Sequence, residues 1–260
     1  MQDLHDEYRD KKKKLPVVEL FGPTIQGEGG LAGEVTGFLR LGGCPLRCEW
    51  CDSMHAVDPN QIKKNARYLT QPEIIEELSA LGSPAEWLTI TGGDPVMHDL
   101  TELVNEIGDS RVKVAIETEG YLFKSWLRDC TLIHVSPKGP SSGMLGTKYD
   151  YDEMKMKIEP YAAIAGITEV ILKVVIFTEE DYKFARQLHR DFPSLEMYLS
   201  IGTRLKTPSG SPITDEGTVK ALILRDMQIW FEHMSRDSVM ADCHIFPQLH
   251  VLAWGTRQGV

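Results

Sequence analysis

Cys44, Cys48 and Cys51 are the residues whose type and spacing point most directly to chemistry. The segment Cys44-Pro45-Leu46-Arg47-Cys48-Glu49-Trp50-Cys51 sets three thiols in a C-x3-C-x2-C pattern. Thiolates are soft ligands suited to iron–sulfur clusters, and a cubane [4Fe–4S] cluster has four irons to ligate. Three protein sulfurs leave one iron open. An open iron can chelate the amino and carboxylate groups of S-adenosylmethionine. An electron from the reduced cluster can then cleave the sulfonium C–S bond and release a 5′-deoxyadenosyl radical, with the protein supplying orientation. Two blander readings compete: a zinc site of the three cysteines with His55, and three packing thiols. The spacing is not a common zinc pattern, and Gly-Gly-Cys-Pro before a Trp-Cys pair would be odd for plain core. The other two of the five cysteines, Cys130 and Cys243, stand alone and read as small buried thiols.

Four further segments carry polar groups where chemistry would need them. In Thr91-Gly92-Gly93-Asp94-Pro95 the bare glycines let backbone approach a ligand, although turns use the same residues. Glu117 and Glu119, in Glu117-Thr118-Glu119-Gly120, could accept hydrogen bonds from ribose hydroxyls or simply sit in a solvated turn. Ser136-Pro137-Lys138 offers a hydroxyl and an ammonium to a ribose or a carboxylate. Arg40, four residues before the first cysteine, is a planar cation suited to a bidentate grip on a carboxylate; its bland alternative is a surface ion pair.

The elements that must position these groups alternate. Apolar, β-branched runs at 17–21, 38–41, 87–90, 112–116, 132–135, 170–177 and 195–201 read as buried strands. Helical periodicity falls between them: 70–81, capped by Thr70 with Pro72 and Glu73 in its first turn, then 100–107, 150–158 and 178–190. A longer helix, 215–234, follows a Gly/Pro/Ser-rich loop at 203–212. Alternation of this kind predicts an α/β fold with a mainly parallel sheet, open or curled into a partial (βα) barrel. Chemistry gathers at the C-terminal ends of such strands, and the cysteine, Gly-Gly-Asp-Pro, 117–120 and 136–138 segments each follow a strand.

A chain of 260 residues is long enough for one domain with a sizeable core. A formal charge of −10 argues against a protein that grips nucleic acid through its phosphates. No run of about 18 apolar residues is present, so no membrane helix is expected. Residues 1–14 are polar, end in four lysines and lack the apolar core of a secretory signal; they read as a solvated, disordered tail before one domain at 15–260. An odd, clustered cysteine set without a signal points to a reducing compartment, the cytoplasm.

The cysteine loop directly after a strand, with Trp50 before the third cysteine, resembles the radical S-adenosylmethionine superfamily. The Gly-Gly-Asp-Pro loop resembles that superfamily's GGEP-type loop, with Asp94 where Glu is usual. Four more segments resemble the 7-carboxy-7-deazaguanine synthase family. They are Phe21-Gly22-Pro23-Thr24-Ile25-Gln26-Gly27-Glu28-Gly29, Phe38-Leu39-Arg40-Leu41-Gly42-Gly43-Cys44, Ser136-Pro137-Lys138-Gly139-Pro140-Ser141-Ser142-Gly143-Met144, and Pro247-Gln248-Leu249-His250 with Trp254-Gly255 and Gly259-Val260. The matches run from about residue 17 to 260.

This resemblance implies a radical S-adenosylmethionine domain with a [4Fe–4S] cluster on Cys44, Cys48 and Cys51. It implies cofactor contacts from Trp50, Asp52, Gly93, Glu117, Glu119, Ser136, Pro137 and Lys138. Substrate contacts would come from Ile25, Gln26, Gly27, Arg40 and Thr91, with Gln248 and His250 either near the pocket or ordinary packing residues. Ser53 stands where the family has Thr, and would offer its hydroxyl to Mg2+. The implied reaction contracts 6-carboxy-5,6,7,8-tetrahydropterin to 7-carboxy-7-deazaguanine with loss of ammonia, for queuosine-type deazapurine synthesis. Hydrogen is taken from C6 and S-adenosylmethionine is regenerated. A flavodoxin or ferredoxin as electron donor, a homodimer, and no direct nucleic-acid or membrane partner complete the expectation. The competing readings are a glycyl-radical activase or another radical enzyme, which shares the cysteine loop but not the other segments, and a non-enzymatic iron–sulfur or zinc module.

Overall fold

The computed structural model describes residues 14–81, 85–207, 209–257 and 259. The expected polar tail therefore lies outside the described residues except for Lys14, as does Val260.

One nine-stranded sheet organises these residues. Its strands are β1 (Leu15–Ile25), β2 (Val35–Leu41), β3 (Arg67–Leu69), β4 (Trp87–Gly92), β5 (Lys113–Thr118), β6 (Leu132–Val135), β7 (Glu169–Ile176), β8 (Glu196–Ile201) and β9 (His244–Phe246). The spatial order is β3-β1-β2-β4-β5-β6-β7-β8-β9. β1 runs antiparallel to both β2 and β3, and every pair from β2–β4 to β8–β9 is parallel. β3 and β9 stay at opposite edges of the order, so the sheet is an open, partial barrel, as expected. Eight α-helices accompany it among the described residues: α1 (Met54–Val57), α2 (Pro59–Asn65), α3 (Gln71–Ala80), α4 (Thr101–Gly108), α5 (Tyr151–Ala162), α6 (Glu179–Asp191), α7 (Glu216–Met234) and α8 (Leu249–Trp254).

The local signals explain the long elements. Thr70 caps α3 in a reciprocal box with Glu73, Thr178 does the same for α6 with Asp181, and Asp215 caps α7. Each leaves fewer orphan N–H groups at a helix start. Sequence periodicity missed the short pieces β3, β9, α1, α2 and α8, because three to seven residues carry too little pattern to read. It also ended the fifth helix at Ile158; α5 continues through Pro160 to Ala162, where buried Tyr161 packs its last turn onto the core.

Alternation along the strands splits the sheet into two faces. The outer face supplies Leu39, Leu41, Ile90, Ile116, Ile133, Leu172, Val174 and Leu199 to the main core, against Ile74 of α3, Leu103 of α4, Ile158 of α5, Leu188 of α6 and Ile223 of α7. The inner face is graded along the strand direction. Its start is a small apolar plug of Ala115, Leu132 and Ile171, covered by Leu31 from the 3-10 turn Gly29–Leu31. Two residues further along the same strands stand Glu117, His134 and Lys173. The concave face is thus dry at the N-terminal ends and polar at the C-terminal ends.

Candidate active site

A cavity of about 490 Å3 opens at that polar end, within the range of small-molecule sites. Alternate strand residues line it: Glu19 and Phe21 from β1, Phe38 and Arg40 from β2, Lys173 and Val175 from β7. Register places several side by side. Glu19 pairs with Arg40, Arg40 with Thr91, and Glu117 with His134.

The cysteine loop begins where β2 ends. Two sheet-like bonds hold it against the Gly-Gly-Asp-Pro loop: Gly93 N donates to Leu41 O at 2.9 Å and Asp94 N to Gly43 O at 2.6 Å. The approach is so close that a Cβ on Gly93 would stand 2.1 Å from Gly43 O. Buried Leu46 anchors the loop in the core. All three cysteines face the cavity, and none is in a disulfide. Burial pushes the Cys44 thiol up to about 12 and Cys48 to about 11, and raises Cys51 as well. Iron would have to displace their protons.

The donor set fits a cluster better than a single ion. Ligands of a tetrahedral zinc stand about 3.3–3.8 Å apart. Among the described residues, only His189, Asp242 and Cys243 bring three candidate ligand atoms within 4.8 Å of one another, so the three loop sulfurs are wider. His55, the fourth ligand a zinc reading needs, faces Glu19 Oε2 at 3.4 Å. Cys130 and Cys243 line no part of the cavity. The three loop sulfurs are the cysteine thiols that face the cavity among the described residues.

The residues expected around a cofactor gather on one side. Trp50 lies 5.3 Å from the Phe177 ring and donates to Ser141 Oγ at 3.0 Å. Lys138 Nζ stands 5.8 Å from the Trp50 ring and donates to Ser136 Oγ at 2.8 Å. Ser136, Lys138, Asp52 and Gly93 line the cavity, whereas Pro137 is buried behind it. Glu119 is buried beside Asp94. Burial, then the neighbouring Asp94, holds Glu119 well above the usual carboxylate range, and burial raises Asp94 too. One buried oxygen of each acid, Asp94 Oδ2 and Glu119 Oε1, lacks a hydrogen-bond partner among the described residues.

The residues expected to meet a substrate also reach the cavity, with Ile25, Gln26, Arg40, Thr91, Gln248 and His250 all at the wall. Arg40 is aimed by Glu19, to which Nε donates at 2.6 Å, and one of its amino groups reaches Ser53 Oγ at 3.2 Å. Ser53 Oγ in turn donates to Asp52 Oδ1 at 2.9 Å, a pairing of hard oxygens that could share a Mg2+. Gly27 lines no part of the cavity; α8 packs onto it instead, with Leu249 N donating to Gly27 O at 3.1 Å. A Cβ there would meet His250 Nδ1 at 2.1 Å. Gln248 Nε2 donates to Glu28 Oε1 at 2.5 Å and also reaches Asp52 Oδ2 at 3.4 Å.

Three residues were not singled out from the sequence: Glu28 and Lys173, which line the floor, and His134, buried beneath it with Nδ1 3.7 Å from Glu117 Oε1. Lys173 Nζ donates to Glu28 Oε2 at 2.5 Å and to Glu117 Oε1 at 3.5 Å. Burial would strip the lysine of its proton, but Glu117 and Glu28 hold it above the ordinary lysine range. Burial likewise opposes ionisation of Glu117, yet Lys173, His134 and Thr91 keep it well below the usual range. Thr91 Oγ1 donates to Glu117 Oε2 at 2.9 Å and Gln26 Nε2 to Oε1 at 3.2 Å. A readable signal existed for two of the three. A lysine inside Val-Ile-Leu-Lys-Val-Val-Ile and a histidine inside Leu-Ile-His-Val interrupt otherwise apolar strands.

Comparison with known proteins agrees with this geometry. The profile of the Radical SAM superfamily matches residues 39–183. The 7-carboxy-7-deazaguanine synthase of Bacillus subtilis (strain 168) is 33% identical over 250 residues, covering 95% of this chain and 99% of that protein. The enzyme of the same name from Bacillus cereus is 34% identical with the same coverage. The crystal structure of QueE from Escherichia coli superposes with a TM-score of 0.65 at 20% identity, covering 94% of this chain and 97% of that one, a likeness of fold. Membership of the superfamily brings a [4Fe–4S] cluster and S-adenosylmethionine with it, and the three cavity-facing thiols suit both. The chain belongs to the 7-carboxy-7-deazaguanine synthase family of the Radical SAM superfamily.

Proposed function

We propose that this protein converts 6-carboxy-5,6,7,8-tetrahydropterin to 7-carboxy-7-deazaguanine with loss of ammonia, as a carbon–nitrogen lyase supplying queuosine-type deazapurine synthesis. The observation that carries the reading is the joining, in one small-molecule-sized cavity, of the three-thiol loop to a floor of paired acids and cations. When bound, the cluster and S-adenosylmethionine supply the radical that takes the C6 hydrogen. The chain's own residues bind and orient.

Arg40, pre-aimed by Glu19, grips the substrate carboxylate. Ser53, with Asp52 beside it, would hold Mg2+, which would supply a hard positive charge to the substrate carboxylate. Gln26 and Thr91 present acceptors and donors to the flat polar edge of a pterin, with Ile25 at the same wall, Gly27 seating His250 behind it, and Gln248 and His250 closing it from α8. Trp50, Asp52, Gly93, Glu117, Glu119, Ser136 and Lys138 form the cofactor side, with Pro137 packed behind them. Residues 15–260 act as one domain, a flavodoxin or ferredoxin delivers the electron, and the working form is a homodimer in the cytoplasm. The described residues contain no helix long and apolar enough to cross a membrane.

The test is an anaerobic assay with reconstituted cluster, dithionite, S-adenosylmethionine, Mg2+ and the carboxylated pterin, read by mass spectrometry. Appearance of 7-carboxy-7-deazaguanine supports the reading. Slow release of 5′-deoxyadenosine without that product moves the substrate assignment elsewhere. A cavity of this size suits a small molecule better than a loop of a partner protein, which argues against a glycyl-radical activase.

A further inference from the structure

We propose that His189, Asp242 and Cys243 form a second metal site, for a thiophilic divalent ion of the Zn2+ class, outside the cavity that the cysteine loop faces. Nothing in it depends on the deazapurine reading, and none of the three residues lines that cavity. His189 sits in the last turn of α6, and Asp242 and Cys243 directly precede β9. Their three ligand atoms lie within 4.8 Å of one another. His189 Nε2 and Asp242 Oδ1 are already 3.0 Å apart, close to the separation of two ligands on one ion. Completing the triad asks for a contraction of about 1 Å by the thiol, given zinc bond lengths near 2.0–2.3 Å.

The chemistry of the set is mixed nitrogen, oxygen and sulfur, which suits zinc better than a hard oxygen-seeking ion. His189 and Cys243 are each 8% exposed, which shields two ligands from water, while the Asp242 side chain is 75% exposed. That open side leaves room for a water in the fourth position. His189 presents Nε2 to Asp242, and its buried Nδ1 has no hydrogen-bond partner among the described residues. Cys243 Sγ meets another soft atom, Met240 Sδ, at 3.9 Å, a contact weak enough to yield to a metal.

Neighbouring polar groups are already engaged. Asp237 accepts from Arg186 Nε at 2.6 Å and Tyr182 OH at 3.2 Å, and the His244 ring stacks on Tyr198. Binding forms one Zn–S bond and releases the Cys243 proton to solvent. The ion then ties the end of α6 to the start of β9, the edge strand that leads into Gln248 and α8.

The test uses the full chain carrying Cys44→Ser, Cys48→Ser and Cys51→Ser, so that no cluster or ion occupies the cavity loop. Co2+ is titrated in, and thiolate-to-cobalt charge-transfer absorption is followed; Zn2+ retained after gel filtration is counted by elemental analysis. One ion per chain is expected, with a charge-transfer band that Cys243→Ser removes, and affinity at least tenfold weaker in His189→Gln. Zn2+ should raise Tm in the parent and leave the Cys243→Ser chain unmoved. Failure to retain an ion, or equal retention and an equal melting shift with Cys243→Ser, overturns the proposal. Should the triple variant fail to fold, the same zinc count on the cluster-loaded protein, with and without Cys243→Ser, decides the question in the same way.

Discussion

Lys173 is the residue on which the floor of the cavity turns. Two carboxylates, Glu28 and Glu117, share its nearly buried ammonium at the cavity floor. Removing one partner of a buried ion pair costs more than the pair itself is worth, because a charge is left uncompensated. Lys173→Met should therefore lower unfolding stability by about 3–5 kcal/mol in a urea titration. Adding Glu117→Gln should recover part of that loss, and equal stability of the single and double variants would show that the three groups are not coupled. Arg40 makes the complementary case for binding. Loss of a charged hydrogen-bond pair is worth about 1.5–3 kcal/mol, so Arg40→Ala should cut kcat/KM for the carboxylated pterin roughly 10- to 100-fold. Iron content and the cluster's absorbance should be unchanged. Glu19→Gln should produce a smaller loss in the same direction, since Glu19 acts by aiming Arg40.

At the scale of elements, the site depends on how tightly two loops meet. The ends of β2 and β4 are bridged by Gly43 and Gly93, and there is no room between them for a side chain. Gly93→Ala must push the cysteine loop away from the Gly-Gly-Asp-Pro loop. Overpacking of this kind costs about 1–3 kcal/mol, or about 2–4 °C in Tm per kcal/mol for a protein near this size. S-adenosylmethionine binding, measured by equilibrium dialysis on reconstituted protein, should weaken as well. Unchanged melting and unchanged binding would mean that the loops tolerate separation and that their contact does not shape the site.

Across the whole molecule, buried acids of opposite tendency make stability depend on pH in two directions. Burial opposes the charge on Glu28 and Glu117, but Lys173 outweighs it and holds both below their usual value of 4.5. Their contribution is complete above 4.5 and disappears as pH falls through their folded values. Glu119 is held above 4.5 by burial and by Asp94. The folded chain keeps that proton where the unfolded chain has released it, so stability falls as pH rises from 4.5 toward the folded value. Glu119→Gln removes this loss. In the metal-free protein its Tm advantage over the parent should grow with pH across that window, and a constant difference would show that Glu119 ionises normally.

The three-thiol spacing, the strand–helix alternation and the capping residues are local, and local chemistry is enough to read them. Thr70 with Glu73 announces a helix start in four residues, and C-x3-C-x2-C announces a cluster ligand set in eight. The sequence by itself therefore determined the fold class and the family, and named the three thiols that face the cavity. It could not place Glu28, His134 and Lys173 together, because they come from three distant segments and meet only when β5, β6 and β7 lie in register under the 3-10 turn at Gly29–Leu31. It likewise could not show that Gly27 packs against His250 or that Pro137 is buried behind the wall. Such assignments depend on which way a side chain points after nine strands have curled, and that is decided by long-range pairing rather than by any window of the chain.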